Sequence, residues 1–116
     1  MGLTKKLMRQ KVDDNLLREM TRRLVSALDP EQIILFGSHV WGVPTETSDV
    51  DLFVVVQESQ LPPALRARAA HRCLRSLNIP KDVMVRTRAE ADKYRAVNAS
   101  LEHLIFEKGR VLYERH

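Results

Sequence analysis

Apolar residues recur every three or four positions at Leu16, Leu17, Met20, Leu24 and Leu28, while Arg18, Glu19, Arg22 and Arg23 take the rest of the wheel. That period predicts an amphipathic helix with its stripe turned to a core. Asp13 or Asp14 supplies an N-cap, and Asp29-Pro30 supplies the stop. The period then changes. Gln32 to Phe36 is almost continuously apolar, the mark of a short strand buried on both faces. Residues 37–42 hold two glycines and read as a turn with a single helical turn inside it. Residues 43–48 are a polar connection containing one proline. Residues 50–57 are rich in β-branched side chains and predict a central strand, since an exposed strand this apolar would invite pairing with other chains.

The second half alternates in the same way. Pro62-Pro63 opens a helix over residues 64–77, with Leu65, Ala69, Cys73 and Leu77 on one face and Arg68, Arg72 and Arg75 as a basic stripe on another. Asn78-Ile79-Pro80 turns the chain into a strand over residues 81–86, where Val83 and Val85 share one face and Asp82, Met84 and Arg86 the other. Thr87 followed by Glu90 is a capping-box pattern and starts a further helix. Residues 100–108 predict a last helix with Leu101, Leu104 and Ile105 inward and Gly109 at its C-cap. Arg110 to Glu114 is a short terminal strand. Strands alternating with helices make this an α/β (α+β) chain, a sheet with flanking helices. Residues 1–12 read as a basic N-terminal extension, marginally amphipathic through Leu3, Leu7, Met8 and Val12, and residues 13–116 as one domain.

Composition narrows the classes. At 116 residues the chain suffices for one modest core, and its 44% hydrophobic and 29% charged content is that of an ordinary globular protein. No apolar run approaches transmembrane length, and Lys5, Lys6, Arg9 and Lys11 surround only Leu7 and Met8, which is no signal-peptide pattern. The single cysteine, Cys73, cannot pair within the chain, which fits a reducing cytoplasm. A formal charge of +4 is compatible with a phosphate-bearing ligand or an acidic partner. Aromatics at 5% offer no platform for stacking single-stranded bases, so direct nucleic-acid binding is weakly supported.

The candidate chemistry lies between the first two strands. Alternation along a strand points Asp49 and Asp51 to one side, with Val50, Leu52 and Val54 on the other. Two ionised carboxylates side by side repel, and a packed domain gains little from them. A hard divalent cation such as Mg2+ reverses that balance through oxygen ligation. Gly37-Ser38 closes the preceding strand, where a glycine allows close backbone approach and the serine adds a hydroxyl, both suited to phosphate.

Gly37-Ser38, Gly42, and Asp49-Val50-Asp51 before an apolar strand resemble the signature of the polymerase-beta-type nucleotidyltransferases. More narrowly, the chain resembles the minimal nucleotidyltransferases, small free-standing members often paired as antitoxins with HEPN-domain toxins. The resemblance implies the superfamily's palm fold, a mixed central sheet with flanking helices. It implies Asp49, Asp51 and Asp82 as catalytic metal ligands for two Mg2+ ions, with Asp82 nearest the attacking hydroxyl. Gly37, Ser38 and Ser48 would serve the nucleotide phosphates, Ser48 standing where a serine often precedes the aspartate pair. The implied reaction is transfer of AMP from ATP to a hydroxyl, a tyrosine of a cognate HEPN ribonuclease, with release of pyrophosphate. The sequence departs from the commonest family form by carrying His39, Val40 and Trp41 where one or two arginines usually stand. A binding-only antitoxin with a vestigial nucleotide site is the alternative.

Overall fold

The computed structural model describes residues 11–45 and 48–115. In chain order these form α1 (Asp14–Leu28), β1 (Gln32–Phe36), α2 (Ser38–Trp41), β2 (Val50–Val56), α3 (Pro63–Cys73), β3 (Lys81–Thr87), α4 (Arg88–Arg95), α5 (Leu101–Lys108) and β4 (Arg110–Glu114). The four strands make one mixed sheet in the order β3-β2-β1-β4. β1 runs antiparallel to both β2 and β4, and β2 runs parallel to β3. The parallel pair requires a crossover, which α3 supplies. The architecture is therefore an α/β sheet with flanking helices, as the pattern predicts, and its mixed strand directions are those that the palm resemblance implies. Residues 1–10 of the basic extension lie outside the described residues; Val12 packs against the core.

The sheet is buried on both faces, which explains why β1 and β2 are apolar almost without a break. On one face, Leu16, Leu17, Met20 and Leu24 of α1 and Ala70 of α3 cover Ile33, Leu35, Leu52, Val54, Val83 and Val85. On the other, Ala91 of α4 and Ile105 of α5 cover Ile34, Phe36, Phe53 and Val55. Helix ends follow the sequence signals. The Leu16 N–H donates to Asp13 Oδ1 at 2.9 Å, so Asp13 is the cap of α1, and Asp29 ends that helix in the left-handed region at φ 48°. Thr87 and Glu90 form the full capping box of α4. Among the described residues no helix is long and apolar enough to cross a membrane.

Two helix faces differ from the periodicity. α3 stops at Cys73, and its inward row is Arg66, Ala70 and then Leu74; Leu65 is exposed, and Cys73 and Leu77 are only half-buried. Arg66 takes an inward position because it has partners there. Its Nη1 donates to Glu90 Oε1 at 2.6 Å, and its Nε to the Leu61 carbonyl at 2.7 Å. A buried guanidinium with its charge and donors answered can replace an aliphatic side chain. In α5, Leu101 and Leu104 are 42% and 40% exposed, and Glu102 turns inward with Ile105 to meet Arg86 at 3.6 Å. Gly109 follows α5 with φ −69°, so its role is not left-handed backbone. A Cβ there would stand 2.5 Å from both the Ile105 carbonyl oxygen and Ile34 Cγ2, so only a bare Cα lets α5 turn into β4 this close to β1.

Candidate active site

The candidate site gathers where β1 ends and β2 and β3 begin. In the register of the sheet, Phe36 of β1 faces Asp51 of β2, and Asp51 faces Asp82 of β3. Asp51 belongs to the row of Phe53 and Val55, whose outer members pack under α4 and α5. It is thus the residue at which a buried apolar row becomes a carboxylate. Parallel register brings Asp82 to the same side on the neighbouring strand. Asp49 sits just before β2 and is exposed, as is Asp82, whereas Asp51 is half-buried.

Electrostatics link the three. Burial, then the Asp82 carboxylate, then the Asp49 carboxylate hold the Asp51 carboxyl above the usual aspartate range. His39 acts on Asp51 in the opposite sense and favours its ionised form. The His39 ring approaches the Ser48 carbonyl oxygen, with Nε2 at 3.5 Å. His39 replaces one of the expected arginines in sequence, and it sits where a positive charge would act on Asp51. Its position in the turn was visible in the chain; its reach to Asp51 depends on α2 folding back on β2.

Gly37 and Ser38 open α2. Gly37 has φ 82°, a conformation that favours glycine, and its carbonyl accepts the N–H groups of Val40 at 2.9 Å and Trp41 at 3.0 Å. A Cβ on Gly37 would overlap Asp51 Oδ2. The bare Cα therefore makes room for the carboxylate. Gly37→Ala is expected to destabilise the protein by about 1–3 kcal/mol from the positive-φ backbone alone, with displacement of Asp51 added. Chemical denaturation of the variant measures this, and a variant as stable as wild type would show that the turn relaxes without cost. Trp41 leans on Phe36, ring centroids 6.1 Å apart, and stays 40% exposed, so it packs at the edge of the turn. The Ser48 hydroxyl accepts the Thr45 N–H at 2.8 Å and closes the connection leading into Asp49.

The donor set suits a hard divalent cation: three carboxylates on one edge of the sheet, two of them raising the pKa of the third, beside a glycine cradle that a Cβ would fill. Among the described residues, no three His, Cys, Asp or Glu side chains are already gathered as a metal cage. A cavity of about 630 Å³ between α1 and β4, touching Asp14, Arg18 and Tyr113, involves none of these residues.

The family model described as Polymerase beta, Nucleotidyltransferase matches residues 19–116. No curated protein matches the chain. Among solved structures, a protein from Sulfolobus solfataricus assigned provisionally as a nucleotidyltransferase aligns with a TM-score of 0.62 and 20% identity. The alignment covers 87% of this chain and 79% of that one, and at this identity it speaks to the fold.

Proposed function

The chain belongs to the polymerase beta nucleotidyltransferase family, and from that membership we propose that it transfers AMP from ATP to a protein hydroxyl, a tyrosine of a HEPN ribonuclease partner, and so acts as its antitoxin. The observation that carries the catalytic reading is the facing of Asp51 and Asp82 on adjacent parallel strands, with Gly37 leaving space against Asp51.

In this reading Asp49, Asp51 and Asp82 hold divalent cations, Mg2+ by donor chemistry. When bound, such ions neutralise the phosphates and the leaving pyrophosphate and lower the pKa of the attacking oxygen. The chain's own residues do the rest. Gly37 and Ser38 present backbone N–H groups and a hydroxyl to the β- and γ-phosphates, because the first-turn N–H groups of a helix have no intrahelical acceptor. The His39 ring faces Asp51 and acts electrostatically to favour its ionised form. Asp82 is the carboxylate placed to orient the acceptor hydroxyl and receive its proton.

Intact-mass measurement of a HEPN partner after incubation with ATP and Mg2+ tests this. The expected result is an AMP increment on a tyrosine, abolished by EDTA. A partner that gains no mass, yet is still neutralised by Asp49→Ala protein, would establish the binding-only reading instead. The absence of the usual arginines between Ser38 and Gly42 is the observation that favours that second reading.

A further inference from the structure

Behind the strand that carries Asp82, on the opposite face of the sheet, a cavity of about 410 Å³ is lined by Arg68, His71, Arg72, Arg75, Ser76 and Lys81. Lys81 shares the face of Val83, so it points away from the Asp82 side. Arg68, Arg72 and Arg75 stand at helical spacing on one face of α3 and the turn after it, and their side chains form no ion pair or hydrogen bond among the described residues. No carboxylate lines the cavity. These three arginines and Lys81 bring four cationic side chains to one place.

The walls are built rather than incidental. Ser76 adopts φ 82°, a left-handed conformation that costs a serine energy and marks a fixed turn. Arg23, reaching from α1, donates to the Arg75 carbonyl at 2.9 Å and pins that turn. Lys81 is held by the Leu77 carbonyl at 3.0 Å and the Ile79 carbonyl at 3.1 Å. The lining has no aromatic or aliphatic anchor of the kind that forms the centre of a protein interface. Guanidinium forks with no internal acceptor match phosphate oxygens.

From this geometry we infer that the cavity is an anion site for phosphate groups, distinct from the nucleotide site at Asp51. The ligand is an oligophosphate, free or as part of a phosphodiester backbone. Without an aromatic platform the site reads charge and shape, not bases. The inference stands apart from nucleotidyl transfer and does not need a metal.

Isothermal titration in EDTA with pyrophosphate, and separately with a short oligoribonucleotide, tests it at physiological salt. Saturable pyrophosphate binding is expected in wild type and in Asp51→Asn. Arg72→Glu combined with Arg75→Glu should weaken it at least about tenfold, and the milder Arg72→Gln should weaken it by less, both with unchanged circular dichroism. An oligoribonucleotide that binds more tightly, is displaced by pyrophosphate and loses affinity as salt rises assigns the phosphodiester source. Pyrophosphate binding without oligoribonucleotide binding assigns the free anion. No saturable binding of either, or binding unaltered in all the arginine variants, overturns the site.

Discussion

Asp51→Asn is expected to lower nucleotidyl transfer by roughly 100- to 1,000-fold, about 3–4 kcal/mol of transition-state stabilisation, while leaving the protein at least as stable as wild type at neutral pH. Asparagine keeps the shape and loses the charge that a cation needs. The stability expectation follows from the same environment. Burial, with Asp82 and Asp49 nearby, raises the Asp51 pKa in the folded protein, so the folded state holds this proton more firmly than the unfolded chain does. The resulting stability is fully present below the ordinary aspartate value and is lost as pH rises through the raised one. The substituted amide carries no such proton and should remove that slope. Thermal melts in EDTA from acid to neutral pH, run beside a transfer assay, check both halves. A variant that melts far below wild type at neutral pH would mean that Asp51 serves the fold, and its lost activity would then say nothing about chemistry.

The largest expected loss of stability comes from Glu90→Ala, about 2–3 kcal/mol, or a fall in melting temperature on the order of 10 °C. Arg66 is only 8% exposed, and Glu90 is its one carboxylate partner among the described residues. The same Glu90 Oε1 also accepts the Thr87 N–H at 2.9 Å, so one side chain caps α4 and answers the buried charge beneath α3. Truncation leaves Arg66 desolvated without its counter-charge. Acid should do part of the same damage. The Arg66 hydrogen bond, helped by the Thr87 N–H, holds Glu90 at a pKa of about 2 against an ordinary 4.5. The stability it contributes is present above the ordinary value and is lost as pH falls toward about 2. Urea unfolding near neutrality and again near pH 3 should show a gap between wild type and Glu90→Ala that narrows in acid. A constant gap would assign the loss to helix capping alone.

The elements were readable from the chain because their signals are local. The 3–4 spacing of Leu16 to Leu28, the unbroken apolar runs of β1 and β2, Asp13, and the Thr87–Glu90 box each depend on neighbours within a few residues. The facing of Asp51 and Asp82 also follows from a parallel crossover. What the chain hid depends on distant partners. Arg66 looks like a surface residue until Glu90, twenty-four positions on, is brought beneath it. Glu102 looks exposed until Arg86 receives it, and that exchange turns Leu101 and Leu104 outward. In the chain His39 stands only between Ser38 and Val40; the fold brings its ring within electrostatic range of Asp51.

The outer strand β4 pairs with β1 through a register that shifts between Ile33 and Ile34. Its free rim also carries Arg110 and Glu114, followed by Arg115, whose guanidinium reaches back to Asp29 at 2.6 Å. A straight, neutral rim would offer the next chain a template for its own backbone. A broken register shortens the stretch over which a visiting strand could stay in step, and each charge it would cover must first shed water. As the outer strand of the four among the described residues, β4 is thus a poor template for a fifth.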